Sequence, residues 1–167
     1  MMGISLNTFS RRRDYALEPL ETRHSGDIAM LHREDFVRPW SPEEFAALIE
    51  DRHVFGYVAR QVGNPKATPV GFVLARLAAG EAEILTVAVQ RNHRRHGLGW
   101  KLMDAVLRQL HADRAEALFL EVDETNVAAV HLYRRLGFHQ VGKRANYYEG
   151  AGTQGRSNAL VMRRDLR

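Results

Sequence analysis

Val87–Leu110 reads VAVQRNHRRHGLGWKLMDAVLRQL: an apolar strand, a cationic turn punctuated by glycines, and then a helix. Leu98, Leu102, Val106 and Leu110 recur every fourth residue, giving that helix one core-facing stripe. Between Glu83 and Asp104 the chain has no acidic residue, whereas Arg91, Arg94, Arg95 and Lys101 are basic. Gly97 and Gly99 let the backbone come close to a ligand. Free backbone N–H groups and the positive end of a helix dipole therefore meet at Arg94–Gly99, where a pyrophosphate would be held. A tight turn before a helix also needs glycine for backbone reasons alone, so this stretch by itself leaves both readings open.

The flanks extend the pattern. Glu83–Val89 is apolar on both faces from Ile84 onward, as a central strand is, and residues 117–122 (ALFLEV) form a second buried strand carrying one carboxylate. A strand–helix–strand unit crosses over right-handed, so the two strands run parallel. The helix N-terminus then lies at the strand's C-terminal end, where ligands enter such sheets. Downstream, Thr125 or Asn126 caps a helix whose Ala129, Leu132, Tyr133 and Leu136 share a face and which ends at Gly137. Two strands, Phe138–Arg144 and Ala159–Arg163, close the chain around the Gly-rich loop Glu149–Asn158. Upstream, Tyr15, Leu17 and Leu20 begin a strand, and Ser25–Phe36 carries Ile28, Leu31 and Met30 as helical core positions. Ser41, Pro42, Glu43 and Glu44 spell a capping box before Phe45, Leu48 and Ile49. His53–Arg60 and Val70–Leu77 read as an antiparallel hairpin about the turn-rich Val62–Pro69. The expected fold is α/β: a mixed, mostly antiparallel sheet of about seven strands flanked by four helices, with one parallel strand–helix–strand unit. Residues 1–13 form a polar arm ending in Arg11, Arg12 and Arg13, expected to be flexible, and residues 14–167 a single domain without internal repeats.

Composition narrows the chemistry. With 167 residues the chain can bury one core unaided, and with no cysteine it has no thiol nucleophile, thiolate zinc site or cysteine-held cluster. No apolar run is long enough to span a bilayer, and the opening residues lack a signal-peptide core, so a soluble cytoplasmic protein without a membrane partner is expected. The net charge of +4 is unevenly spread. Asp14–Asp51 holds ten carboxylates against three arginines, and Arg134–Arg167 holds eight basic residues against Glu149 and Asp165. These runs are either solvated faces or an acidic side for a cationic substrate and a basic side for an anionic cofactor. His93 and His96 lie close together in the cationic turn with no carboxylate beside them, so no metal is expected.

The turn is not a Walker loop, because no Lys-Ser or Lys-Thr follows the second glycine, and it lacks the three glycines of the dinucleotide fingerprint. A phosphate cradle with no metal-binding carboxylate suits a ligand that is held rather than cleaved at phosphorus, and coenzyme A is the candidate. At this point the chain resembles the GNAT superfamily of acetyl-CoA dependent N-acetyltransferases. Within it the chain is most similar to the bacterial ribosomal-protein N-terminal alanine acetyltransferases of the RimI type. The resemblance rests on residues 32–41 (HREDFVRPWS), 83–103, 120–138 (LEVDETNVAAVHLYRRLGF) and 144–148 (RANYY), and covers roughly residues 15–162.

The resemblance implies a site. Arg94, Arg95, His96, Gly97, Leu98 and Gly99 match the family's pyrophosphate segment, Trp100 follows it at the same cofactor site, and Val87, Ala88 and Val89 match the strand that pairs with the pantetheine arm. Trp100 departs from the basic residue common there, and Arg95 and Lys101 are placed to compensate. Asn126 matches a cofactor-binding asparagine as well as being a plain N-cap. Glu121 matches the proton acceptor and Tyr133 the proton donor; by pattern alone the first reads more readily as a paired strand carboxylate, and the second equally as a core aromatic. Pro39, Trp40 and Ser41 would border the peptide groove, with Trp40 also readable as a packing staple. Glu34, Asp35, Glu43 and Glu44 form an acidic run suited to a basic peptide.

Physical chemistry favours an α-amine as acceptor. At pH 7 a chain-terminal amine of pKa near 7.8 is about one-seventh neutral, against about 0.04% of a lysine side chain. That is roughly 3.5 kcal/mol in available nucleophile. The expected activity is direct transfer of acetyl from acetyl-CoA to a protein N-terminal α-amine without a covalent enzyme intermediate. The resemblance makes the acceptor the alanine of a small-subunit ribosomal protein with a basic N-terminal peptide, and a monomeric enzyme is expected. Acetylation of a small-molecule amine is the alternative. A non-catalytic ribosome- or RNA-binding module is the third reading, disfavoured because the aromatics are not interleaved with the basic residues.

Overall fold

A computed structural model describes residues 13–64, 66–148 and 156–167, with Tyr148 described by its backbone only. Residues 1–12 of the basic arm and most of the Glu149–Asn158 loop lie outside these. The chain order is β1 (Tyr15–Pro19), α1 (Ser25–Asp35), α2 (Pro42–Glu50), β2 (Val54–Gln61), β3 (Gly71–Ala78), β4 (Glu81–Val89), α3 (Leu98–Ala112), β5 (Ala117–Asp123), α4 (Val127–Arg135), β6 (His139–Tyr148) and β7 (Ser157–Asp165). Short 3₁₀ turns at Thr22–His24 and Arg91–His93 precede α1 and follow β4.

The strands form one sheet in the order β1-β2-β3-β4-β5-β7-β6, antiparallel throughout except for the parallel β4–β5 pair. The expected architecture is observed. The insertion of β7 between β5 and β6 is not legible from the order of elements, because both closing strands carry the same alternation. Helices cover the two faces unequally. Leu98, Leu102, Val106 and Leu110 of α3 pack with Val130 and Tyr133 of α4 and with Leu136 at its end on one face. Ile28 and Leu31 of α1 and Phe45 of α2 pack with Val58, Phe72, Leu74 and Ala88 on the other. This second core draws its strand residues from β2, β3 and β4. Ala29 takes the core position expected of Met30, which is 68% exposed because its azimuth on α1 faces away from the sheet.

α2 starts as its sequence dictates. Ser41 Oγ accepts from the Glu44 N–H at 3.1 Å, Glu44 Oε2 accepts from the Ser41 N–H at 2.7 Å, and Pro42 takes the first turn.

Two irregularities distinguish β4 from an ideal central strand. Leu74 pairs with Thr86 but Ala75 with Ile84, so Leu85 is an extra residue in a β-bulge. The bulge resets the alternation: Ile84, Val87 and Val89 pack toward α3 and α4, Leu85 and Ala88 toward α1 and α2. Further, β4 pairs with β5 only as far as Glu83↔Phe119, after which the parallel strands splay. The hydroxyl of Thr86, next to the bulge, is buried and has no hydrogen-bond partner among the described residues. An unpaired buried hydroxyl costs about 1–3 kcal/mol, and valine has the same shape without it. Thr86→Val is therefore expected to raise the denaturation midpoint by about 1 kcal/mol of stability. A loss of stability on chemical denaturation would show that the hydroxyl is satisfied by solvent.

Candidate active site

The N-terminus of α3 is built as an anion cradle. Arg95 and Gly97 adopt left-handed φ values of 63° and 75°, and no side chain caps the helix. The first backbone bond into α3 runs from the Lys101 N–H to the Gly97 carbonyl at 3.1 Å. Among the described residues, the amides of Arg95 through Trp100 thus have no backbone acceptor, the situation in which a helix start takes up an anion. The two glycines serve different ends. A Cβ at Gly97 would meet nothing within 4 Å, so that position is open to a ligand. A Cβ at Gly99 would lie 3.2 Å from Leu132 Cδ2, so this glycine lets α3 and α4 approach each other.

The basic side chains of the turn are partly committed. Arg94 Nε donates to the Val89 carbonyl at 3.0 Å, its guanidinium is ion-paired with Asp35, and its own N–H donates to the Arg91 carbonyl. Arg91 Nη2 donates to the Glu34 carbonyl at 3.0 Å. Both arginines thereby fasten the turn to the end of α1, while Arg95 and His96 are exposed and Leu98 is buried beneath the cradle. Trp100 is 40% exposed, with the Arg135 guanidinium 5.8 Å from its ring centroid. Tyr15 Oη lies within hydrogen-bonding distance of His93 Nδ1 (3.0 Å), and the described residues contain no cluster of metal-binding side chains.

Beside the cradle, the splay leaves β4 backbone without β5 partners, the Val89 carbonyl being taken by Arg94 Nε. Because the Gln90 N–H donates to Val70, alternation along β4 turns the backbone groups of Ala88 toward β3 and those of Val87 and Val89 toward the β5 side. Past Glu83 no β5 residue meets them. Of the three β4 residues singled out from sequence, Val87 and Val89 face the splay; Ala88 instead packs its side chain into the α1–α2 core.

Glu121 and Tyr133 lie on opposite faces of the sheet. Leu120 and Val122 join Tyr133 in the α3–α4 core, so Glu121, between them, points to the other face. There Glu121 Oε1 lies 3.2 Å from Arg144 Nε. On this face no β5 residue joins the α1–α2 core, and the carboxylate is partly open, its side chain 29% exposed. Tyr133 is buried on α4, edge-on to Phe138 at 5.9 Å between centroids. Asn126 caps α4, its Oδ1 accepting from the Ala129 N–H at 3.2 Å.

Sequence reasoning missed the carboxylates that come after Glu121. Burial pushes Asp123 up, but hydrogen bonds from Ser157 (2.6 Å) and Thr125 outweigh it and hold the carboxyl below its usual range. Glu124 is held low chiefly by Lys143, 2.9 Å away, and also accepts from Asn158. Together they tie the end of β5 to β6 and β7. The signal was a DE pair next to the strand, indistinguishable in sequence from a turn.

The edge between α1 and α2 is an aromatic stack. His32, 2% exposed, lies parallel to Phe36 (3.9 Å) and Trp40 (5.0 Å) and edge-on to Phe45 (5.3 Å), and its Nδ1 accepts from the Trp40 N–H at 3.0 Å. Trp40 is thus a staple. Two of the four carboxylates of the acidic run beside it are engaged within the chain, Asp35 by Arg94 and Glu44 by the helix cap. Burial pushes His32 down to about 4, against the opposing pull of Asp35 and Glu44. The folded state therefore prefers neutral His32: its contribution is complete above the unfolded pKa near 6.5 and is lost as pH falls toward 4. Acid unfolding should show up to about 3 kcal/mol lost across that window, and His32→Phe should flatten that part of the stability–pH curve. An unchanged curve would remove His32 as its source.

The described residues thus combine an anion cradle at a helix start, β4 backbone without β5 partners past Glu83, and a partly exposed carboxylate on the splayed β5 strand. A model of the acetyltransferase (GNAT) family matches residues 26–138, which include the cradle, the splay, Glu121 and Tyr133. The chain belongs to the GNAT acetyltransferase family. Over 124 residues it is 33% identical to the ribosomal protein bS18-alanine N-acetyltransferase of Escherichia coli K12, covering 74% of this chain and 79% of that protein. The crystal structure of the ribosomal-protein-S18-alanine N-acetyltransferase from Escherichia coli has a TM-score of 0.82 at 27% identity, over 92% of this chain and 94% of that one. Arabidopsis thaliana NAA60 in complex with acetyl-CoA has the same fold, with a TM-score of 0.80 at 18% identity over 91% and 98% of the two chains. This GNAT chain is an acetyl-CoA dependent N-acetyltransferase. Its cradle fits a pyrophosphate, since it offers several unpaired amides and open space above Gly97.

Proposed function

We propose that this GNAT enzyme acetylates the N-terminal α-amine of a protein, with the alanine of a small-subunit ribosomal protein as acceptor. It would act as a cytoplasmic monomer. The observation that carries the reading is the position of Glu121, partly exposed on the part of the sheet face that the α1–α2 core does not include, two residues past the last β4–β5 pair. The relatives named for bS18-alanine acetylation support the choice of acceptor.

Acetyl-CoA supplies a thioester carbonyl as electrophile. In this reading the amides of Arg95–Gly99, with Arg95 and Lys101, hold the pyrophosphate, Asn126 contacts the cofactor arm, and Trp100 lies on its adenosine side. The Val87 and Val89 backbone aligns the arm and polarises the carbonyl. Glu121, directly or through a water, takes a proton from the acceptor nitrogen as its lone pair bonds to the carbonyl carbon and the C–S bond breaks. Tyr133 donates a hydrogen bond to the leaving sulfur. A phenol near pKa 10 gives its proton to a thiolate near 8.5 uphill by about 2 kcal/mol, so stabilisation of the sulfur counts as much as full transfer.

The test is acetyl-CoA consumption with an Ala-initiated ribosomal peptide set against a panel of small amines, with mass spectrometry to place the acetyl group. The α-acetylated peptide is the expected product; turnover of small amines alone would establish the alternative. Family membership sets aside the non-catalytic RNA-binding reading. The C-terminal basic run is also engaged within the chain: Lys143 with Glu124, Arg163 with Asp165, Arg164 with the Leu136 carbonyl.

A further inference from the structure

We propose that Arg144 is a positioning residue of the acceptor site, whose guanidinium holds the place at Glu121 that the acceptor's ammonium takes on binding. The inference rests on the reading of Glu121 as the group that meets the acceptor nitrogen. Three observations support it. The guanidinium lies 3.2 Å from the Glu121 carboxylate and toward solvent, the Arg144 side chain being 56% exposed. The guanidinium also lies over the Tyr147 ring, 5.3 Å from the centroid, a second contact besides Glu121. Finally, Arg144↔Ala159 is the last regular pair before β6 breaks register with β7, where Asn146 turns to a φ of 54° and donates its N–H to Asn158 Oδ1. An arginine at such a break can swing without disturbing the ladder.

Charge arithmetic gives the arrangement a function. A carboxylate waiting for an ammonium is a partly buried charge, and Arg144 neutralises it until a cation of equal charge replaces it. Neighbouring charged groups are bound elsewhere. Asp123 is held by Ser157 and Thr125, Lys143 by Glu124, and Arg163 by Asp165 and the Phe119 ring. Exchange at Glu121 therefore selects acceptors that arrive with a positive amine and leaves uncharged ends outcompeted.

The experiment measures binding of two peptides to the enzyme loaded with CoA: an Ala-initiated peptide and the same peptide already α-acetylated. Calorimetry is run on the parent, Arg144→Gln and Arg144→Lys. The glutamine variant should bind the free-amine peptide about two- to fivefold tighter, the range spanned by one exposed ion pair, with the acetylated peptide unchanged. Arg144→Lys should return toward the parent. Equal effects on both peptides, or none on either, would overturn the proposal, since a purely structural arginine does not distinguish an ammonium from an acetamide. If the parent acetylates small amines but no peptide, the acceptor reading has failed; the same variants are then titrated with the amine it does acetylate and with its acetamide, and only the loss of that contrast counts against Arg144.

Discussion

Glu121→Gln is expected to lower kcat/KM for an α-amine acceptor about 100-fold at pH 7 while leaving acetyl-CoA affinity unchanged. General-base catalysis contributes about 10²–10⁴, and the lower end applies because about one-seventh of a terminal amine is already neutral at that pH. The variant's pH profile carries a second signature. With no carboxylate to take the proton, activity should follow the free-amine fraction, rising about sixfold between pH 7 and pH 8.6, while the parent rises less. The amide fills the same space, and Glu121 lies on β5 away from the α3 cradle, so a change in acetyl-CoA affinity would point to misfolding. Near-parent turnover at pH 7 would remove Glu121 from proton transfer and return it to the role of a strand carboxylate paired with Arg144.

The same residue marks how far sequence reasoning reaches. Its face was legible, because one carboxylate among ALFLEV must point away from the core that claims Leu118, Leu120 and Val122. Its partner was not: Arg144 lies across β7, and the order β5-β7-β6 depends on which strand edge stays free after β4 and β5 splay. The splay itself is invisible in Glu83–Val89, since a strand that loses one neighbour keeps the same apolar residues. The bulge at Leu85 has the same character; its trace in sequence is one apolar residue too many before Thr86. Local signals fared better. The Ser41–Glu44 capping box, the Asn126 cap and the Gly137 stop need only neighbours in the chain, and all three appear where expected. Arg94 shows the opposite limit, because composition marks it as cationic but not that Asp35, 59 residues earlier, engages it.

Gly97→Val should raise KM for acetyl-CoA about 10–100-fold with little change in melting temperature. At a φ of 75° a residue with a Cβ pays roughly 1–2 kcal/mol, and a β-branched one more. No neighbour within 4 Å would hold the new side chain in that state. The turn would relax by rotating Gly97 out of the left-handed region, swinging the His96–Gly99 amides off the point where they converge. Each lost bond to a charged oxygen is worth about 1.5–3 kcal/mol, so the loss of one accounts for the predicted KM. Two companion variants separate this from general damage. Gly97→Asn, which tolerates positive φ, should keep most of the affinity. Gly99→Val drives its side chain into Leu132 and should lower stability by about 1–3 kcal/mol through overpacking between α3 and α4. The contrast between the two glycines is the decisive readout. If Gly97→Val binds acetyl-CoA like the parent, the amides at the start of α3 do not hold the pyrophosphate, and Arg95 and Lys101 would have to do so by charge alone.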